Sequence, residues 1–340
     1  MTRQLRLAVI VFTVVMAMVI GVRTQASAAK DKSSKLKNII TISVVNFDPV
    51  WGDSANNLER ILEHVEAAAR QGAQLIVFPE TALTGYDDDA GKPLEEKMHR
   101  RLAETIPGPS TNAVAELTKK YGVYVVFGLA ERDSQDRTKV YNAAAICGPK
   151  GVIGSCRKIH LPFSEKNWAV RGENPTLFDT PWGPIGVGIC YDFYAFPEIT
   201  RYARAMGARL FINCTALGTA ESGGAGAYTG NVSLAYHVQT NDMFVASANM
   251  YGKDVTTFFM GGSSIIGPSS KPPHVFYYAG KPFGAEGADE GTVETATVDL
   301  SIVRKSFLNG LWANPDWRPD RYKVWLENVL KTDFLNKQAK

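Results

Sequence analysis

Cysteine is scarce in this chain, with four in 340 residues, too few for a disulfide-stapled scaffold of this length. The five histidines show no His-x-x-x-His spacing and there is no Cys-x-x-Cys, so the usual metal-ligand patterns are missing and no metal site is expected. The glycines of segment 217–230 lead to no Lys-Ser or Lys-Thr, which excludes a phosphate loop there. Neither sign of charge dominates: the formal net charge is only +3. Long apolar runs are confined to the N-terminus. No internal repeat and no dividing linker is visible. What remains is an ordinary balance, 45% hydrophobic and 21% charged, which excludes wholesale disorder, a collagen-like chain and a coiled-coil rod.

At the N-terminus, Arg3 and Arg6 precede an uncharged run, Leu7 to Val22, followed by the small-x-small pattern Ala26-Ser27-Ala28. The run is shorter than the roughly 20 residues a membrane-spanning helix needs. This reads as a secretory signal peptide over 1–28, with an uncleaved anchor as the competing reading. No cysteine follows the run, which disfavours a lipoprotein. Residues 29–37 are polar and lysine-rich, a short leader. Processing removes Arg3, Arg6 and Arg23 and no acid, so the +3 belongs to the signal. A neutral mature chain offers no bulk electrostatic attraction to nucleic acid or anionic membrane. The expected location is secreted or periplasmic, with no stable membrane anchor after processing.

Strand and helix signals then alternate. Ile39 to Val45 is rich in β-branched residues. Leu58, Ile61, Leu62 and Val65 recur at helical spacing behind the caps Asp53 and Ser54. Leu75 to Phe78, Val123 to Phe127, Ile185 to Ile189, Leu210 to Asn213 and Phe244 to Ser247 read as strands. So do stretches near 262–267, 275–278 and 292–298. Tyr141 to Cys147 and Val152 to Arg157 flank the turn Gly148-Pro149-Lys150-Gly151 and form a hairpin. Val114, Leu117 and Tyr121 mark one helix, a segment opened by Pro197 a second, and Val232 to Thr240 a third. Segment 217–230 reads as a mobile, glycine-rich pocket rim or a plain surface loop. Hairpins beside βαβ units predict one α/β domain over 38–300 with mixed sheets. The tail 301–340 carries Trp312, Trp317 and Trp325.

Three segments place an ionisable side chain just beyond a strand, where α/β proteins commonly put ligands and chemistry. They are Leu75-Ile76-Val77-Phe78-Pro79-Glu80, Arg157-Lys158-Ile159-His160-Leu161-Pro162-Phe163-Ser164-Glu165, and Gly186-Val187-Gly188-Ile189-Cys190-Tyr191-Asp192. Singly, each has a commonplace explanation: a solvated Glu, a surface Lys, a small core Cys. Together they form a complete set for acyl transfer. A thiol needs a base to become a nucleophile near neutral pH, burial raises a carboxylate's basicity, and a cation stabilises both thiolate and oxyanion.

In these three motifs and their order, the chain resembles the nitrilase (carbon–nitrogen hydrolase) superfamily over roughly Ile39 to Leu300. The resemblance implies a four-layer α-β-β-α sandwich and a triad with Glu80 as general base, Lys158 as oxyanion-stabilising cation and Cys190 as nucleophile. It implies a supporting role for Glu165, an oxyanion contact from the Tyr191 backbone N–H, no cofactor, and pairing into a homodimer or higher homo-oligomer through sheet-flanking helices and the tail. The tail tryptophans fit pairing and core packing equally well. Tyr86, Trp168, Tyr194 and Thr215 are candidates for the pocket wall. His160 is read as a structural hydrogen-bonder rather than half of a Cys–His pair. Cys147, Cys156 and Cys214 are read as buried strand thiols.

The run Cys190-Tyr191-Asp192-Phe193-Tyr194-Ala195-Phe196-Pro197-Glu198 is one residue longer than the pattern of many amidase-like members and lacks their Arg, which alters the pocket wall beside the nucleophile. Tyr191-Asp192 favours the amidase and carbamoylase branches over the nitrile-cleaving ones, which often have Trp-Glu there. The expected activity is hydrolysis of a small amide or N-carbamoyl substrate through a Cys thioester. Nitrile hydrolysis, amide-forming acyl transfer, and a silent interaction protein on the same fold are the alternatives.

Overall fold

The computed structural model describes residues 36–219, 225–272, 274–304 and 317–331. The chain divides into two units, Met1–Lys37 and Asn38–Lys340, and the description concerns the second. The segment 1–28 read as a signal peptide, and Trp312 of the tail, lie outside the described residues.

The elements in chain order are β1 (Ile39–Val45), α1 (Ser54–Arg70), β2 (Leu75–Val77), α2 (Met98–Leu102), α3 (Pro109–Tyr121), β3 (Tyr124–Arg132), β4 (Val140–Gly148) and β5 (Gly151–Arg157). Then come β6 (Thr176–Thr180), β7 (Gly183–Ile189), α4 (Tyr191–Tyr194), α5 (Pro197–Ala205), β8 (Leu210–Thr215), β9 (Gly218–Thr219) and α6 (Ala225–Asn241). The last are β10 (Phe244–Asn249), β11 (Tyr251–Lys253), β12 (Phe258–Met260), β13 (Ser264–Pro268), β14 (Val275–Gly280), β15 (Val293–Asp299) and α7 (Pro319–Leu330).

Two six-stranded sheets form, in the orders β15-β1-β2-β3-β4-β5 and β14-β13-β10-β8-β7-β6, with a small sheet β11-β12-β9. Both large sheets are mixed: β1, β2 and β3 run parallel, as do β7, β8 and β10, while the outer pairs are antiparallel. The period of two along each strand builds the layers. Leu75 and Val77 join Ile42, Val44 and Ile146 in a core that also holds Ile185, Val187, Ile189, Leu210, Ile212 and Ala246 from the other sheet. Ile76, Val125 and Phe127 point outward instead, onto Ile61, Val65 and Val114 of α1 and α3. Phe211 and Val245 point outward onto Ile199, Ala203, Leu234 and Val238 of α5 and α6. The result is the expected α-β-β-α sandwich, each buried Leu, Ile or Phe contributing about 1.5–3 kcal/mol of transfer free energy.

Local signals explain several boundaries. The Asp53 side chain accepts from Asn56 N at 3.1 Å and caps α1. Pro197 stands in the first turn of α5. Segment 217–230 is not wholly a loop: Gly218 and Thr219 pair with β12 and a helix runs from Ala225. Glycine lowers helix propensity by about 1 kcal/mol, but a Cβ on Gly230 would lie 2.6 Å from both Leu217 and Phe283, so packing outweighs propensity there. β6, α2, α7 and the small sheet carry no clear periodic signal and go unread in the sequence. Among the described residues, no helix is long and apolar enough to cross a membrane.

Candidate active site

Glu80 sits just past the end of β2. The chain turns back through Thr81, at φ 45°, and the turn rests on Gly128 of β3. Gly128 N donates to Pro79 O at 3.0 Å and Leu83 N to Gly128 O at 3.1 Å. A Cβ on Gly128 would fall 2.2 Å from Thr81 N and 2.5 Å from Pro79 O, so only glycine admits this approach. Lys158 stands just past β5, its backbone N donating to Asn142 O at 2.8 Å. Glu165 lies on the short 3-10 turn Phe163–Asn167.

These three side chains meet in a closed interior. Lys158 Nζ donates to Glu80 Oε1 at 2.5 Å and to Glu165 Oε1 at 2.6 Å, and Lys158 and Glu80 are fully buried. Burying charge is tolerable only when the remaining lone pairs are also satisfied. Asn142 Nδ2 supplies that by donating to Glu80 Oε1 at 2.7 Å and Glu165 Oε2 at 2.9 Å. Ala216 N donates to Glu80 Oε2 at 3.1 Å, and Tyr86 OH to Glu165 Oε1 at 2.9 Å. One ammonium thus serves two carboxylates. Burial alone would lower the Lys158 pKa, but Glu165 and Glu80 outweigh it and hold the lysine firmly protonated. Burial raises the Glu165 carboxyl to about 7, with Lys158 opposing and Glu80 adding to the rise.

Cys190 follows β7 in a strained left-handed conformation, φ 47° and ψ −100°, which a non-glycine residue adopts only when its surroundings enforce it. Its N–H donates to Cys214 O at 2.9 Å and Asn213 Oδ1 at 3.2 Å. Its carbonyl accepts from Phe193 N and Tyr194 N and so heads α4. Asp192 ties this turn to the lysine loop, accepting from Ile159 N at 3.2 Å, His160 N at 2.8 Å and His160 Nδ1 at 2.8 Å. His160 stacks on Phe196 and works as the structural hydrogen-bonder expected of it. Burial pushes the Cys190 thiol up to about 12. The Glu80 charge adds to this, while Lys158 and the Thr215 hydroxyl pull it down. The sulfur is therefore held as a thiol near neutral pH, and only a neighbouring base could convert it to the thiolate that thiol chemistry needs.

The other candidates divide. Tyr86 joins the carboxylate network. Thr215 and Tyr194 stand beside Cys190, the Tyr194 hydroxyl accepting from Asn213 Nδ2 at 3.2 Å. Tyr191 opens α4 with its side chain 37% exposed; N–H groups in a helix's first turn have no intrahelical acceptor. Trp168 is buried with its indole stacked on His99 at 4.1 Å, packed with Leu161, Ala130 and Val140. Four contributors went unread in the sequence: Asn142, Asn213, Gly128 and the Ala216 N–H. Of these only Asn142 leaves a trace, as a lone amide in the apolar strand Val140–Gly148. Among the described residues, no cluster of His, Cys, Asp or Glu could hold a metal ion.

A sandwich of two mixed sheets closing over a buried Glu–Lys–Glu cluster beside a strained cysteine defines a class of hydrolytic enzyme. The carbon-nitrogen hydrolase family model matches residues 41–303, and the chain belongs to that family as a carbon–nitrogen hydrolase of the nitrilase superfamily. It is 28% identical over 282 residues to a nitrilase of Pyrococcus abyssi, covering 80% of this chain and 95% of that protein. It is 28% identical over 275 residues to an omega-amidase of Xenopus laevis, covering 77% of this chain and 89% of that protein. In fold it is similar to an amidase from Nesterenkonia sp., with a TM-score of 0.66 at 21% identity over 86% of this chain and 100% of that one. A variant of that amidase carries the acetamide moiety of fluoroacetamide covalently on its active-site cysteine.

Proposed function

We propose that the protein is a thiol-dependent amidohydrolase acting on a small amide or N-carbamoyl compound, with Cys190 as nucleophile, Glu80 as general base and acid, and Lys158 as the oxyanion cation. The observation that carries this reading is the Lys158 ammonium held at 2.5 Å from Glu80 and 2.6 Å from Glu165 in a closed site whose charges act on the Cys190 thiol. Glu80 takes the Sγ proton as sulfur attacks the carbonyl carbon. The oxyanion is met by Lys158 Nζ and the Tyr191 N–H. The C–N bond breaks as Glu80 returns the proton to the departing nitrogen, leaving a thioester on Cys190. Water, deprotonated by Glu80, then releases the acid and restores the thiol. Proton transfer by a placed side chain contributes about 10²–10⁴-fold and an oxyanion donor about 10²–10³-fold. Glu165, Tyr86 and Asn142 hold the charged pair in place, and Tyr194 and Thr215 border the sulfur.

The amide preference rests on Tyr191-Asp192 after the nucleophile and on the amidase and omega-amidase relatives. Export with loss of about the first 28 residues is proposed from the Arg-flanked apolar run and the Ala26-Ser27-Ala28 pattern. Self-association is proposed from the exposed apolar side chains of α5, its C-cap and α7, among them Tyr202, Met206, Trp325 and Leu326. The test is ammonia release from a panel of amides, carbamoyl compounds and nitriles, with and without added amines. Release from amides that vanishes in Cys190→Ala supports the proposal. Release only from nitriles, or diversion of product into new amides, moves the assignment to the nitrile-cleaving or acyl-transfer reading. No turnover at all favours the silent interaction protein.

A further inference from the structure

Tyr86 reaches the site from a loop, Thr84 to Asp89, that no regular element supports. Its backbone is nevertheless held at most of its polar atoms. Gly85 O contacts His99 Nε2 at 3.0 Å and Asp87 O accepts from Trp51 Nε1 at 2.9 Å. The Tyr86 and Asp87 amides are held by the turn joining β11 to β12. Asp254 Oδ2 accepts from Tyr86 N at 2.7 Å and from Asp87 N at 2.9 Å. In return, Asp87 accepts from Thr256 N at 2.5 Å, Thr256 Oγ1 at 3.1 Å, Thr257 N at 2.9 Å and Thr257 Oγ1 at 2.5 Å. Gly85, at φ +85°, lets Trp51 pack against the loop: a Cβ there would meet Trp51 Cα at 3.0 Å.

The two loops thus hold one another through reciprocal carboxylates, six hydrogen bonds in all. Charge-assisted bonds of this kind are roughly twice as strong as neutral ones. The tip of the turn, Val255, is 51% exposed. What the arrangement does hold is Tyr86. Its hydroxyl ends 2.9 Å from Glu165 Oε1, and its ring meets Phe259 of β12 edge-on at 5.9 Å. The hairpin and the phenol are thereby locked into one unit that closes on the carboxylate network.

We propose that Asp254 is a positioning residue of this enzyme: with Asp87 it braces Tyr86 so that the phenol stays on Glu165 and keeps the Glu165–Lys158–Glu80 cluster aligned. The inference rests on the catalytic reading above. Both bonds that Asp254 accepts from the Tyr86 loop end on the one oxygen Oδ2. An asparagine side chain can supply an acceptor at that position without the charge.

The test compares Asp254→Ala, Asp254→Asn, Tyr86→Phe and the double variant Tyr86→Phe/Asp254→Ala for kcat and KM on the best amide, with amide hydrogen exchange at Tyr86 and Asp87. Asp254→Ala is expected to lower kcat roughly tenfold with a smaller change in KM and to expose both amides to exchange. Asp254→Asn recovers most of kcat and the protection. The double variant is no slower than Tyr86→Phe alone, because Asp254 acts through Tyr86. Multiplying losses, or an Asp254→Asn as impaired as Asp254→Ala, overturns the proposal. Should Asp254→Ala not fold, Thr257→Val removes one bond of the same brace, and its loss must likewise vanish in the Tyr86→Phe background. A wild-type protein that turns over no amide refutes the catalytic reading. The exchange data still decide the brace, since unchanged protection in Asp254→Ala refutes it independently.

Discussion

Cys190 and Cys214 are joined by a backbone hydrogen bond of 2.9 Å, and both are buried free thiols. Burial drives both pKa values upward, Cys190 to about 12 and Cys214 well above the ordinary thiol range. Cys147 and Cys156, in β4 and β5, are also pushed up to about 12. Reactivity therefore cannot be read from the thiol's own acidity. What separates Cys190 is its surroundings. It leaves the strand in a strained turn at a helix start, under the influence of Lys158 and the Thr215 hydroxyl, whereas the Glu80 charge reaches both sulfurs. Cys214 points into the seam between the sheets among Ile189, Ile212 and Ala248. A buried sulfur is core packing until charged and hydroxyl groups such as Lys158 and Thr215 stand against it.

The largest expected difference follows directly. Cys190→Ala should lower amide turnover by about 10³-fold or more, as loss of a covalent nucleophile does. Cys214→Ala should leave kcat within about threefold and instead cost about 1–2 kcal/mol of stability from the cavity it opens, read as a lower melting midpoint. A large kinetic loss in Cys214→Ala would erase the distinction.

The next effect tests whether base placement makes the difference. Gly128→Ala introduces a Cβ where Thr81 N and Pro79 O now lie, displacing Glu80 without touching any thiol. Turnover should fall by about 10²-fold, as expected for a misplacement near 1 Å, with unfolding still cooperative. Unchanged kinetics would mean that Glu80 need not be held where it is.

A smaller effect concerns charge. Above pH 7, Glu165 loses the proton that burial lets it keep, and its new negative charge raises the Cys190 thiol further. kcat/KM should therefore decline on the alkaline side with an apparent pKa of about 7, and Glu165→Gln should lose that limb while its amide oxygen still accepts from Lys158 and Tyr86. A limb unchanged in Glu165→Gln assigns it elsewhere.

The effect furthest from turnover is on stability. His237 joins Phe193 O at 2.7 Å and Thr200 Oγ1 at 2.8 Å behind the Cys190 turn, and burial lowers its pKa to about 4 from 6.5. The unfolded chain binds this proton first. The neutral histidine thus adds stability above pH 6.5, and that contribution is lost as pH falls toward 4. It amounts to at most about 3 kcal/mol. Melting midpoints measured from pH 7 to pH 4 should fall less steeply in His237→Gln than in the wild type.

The strands that build the seam were legible because alternation and apolar runs report burial directly. Leu75 to Phe78 and Ile185 to Ile189 needed nothing else, and the ionisable residue after each was legible by position. The parts missed depend on approaches between residues far apart in the chain. Asn142 looks like an ordinary polar residue until two carboxylates arrive, Gly128 like any strand glycine until the Glu80 turn lands on it. Asp254 gains meaning only when the loop of Tyr86 lies against it. Only the first turns of α6, before Val232, were hidden, by glycines that propensity penalises and close packing requires.

The most direct test of the account is mass spectrometry of the protein quenched during turnover of an amide substrate, followed by peptide mapping. The account predicts an acyl group in thioester linkage on Cys190 alone, increased in amount when hydrolysis is slowed. An acyl group on another residue, or turnover that persists in Cys190→Ala with no adduct, contradicts it.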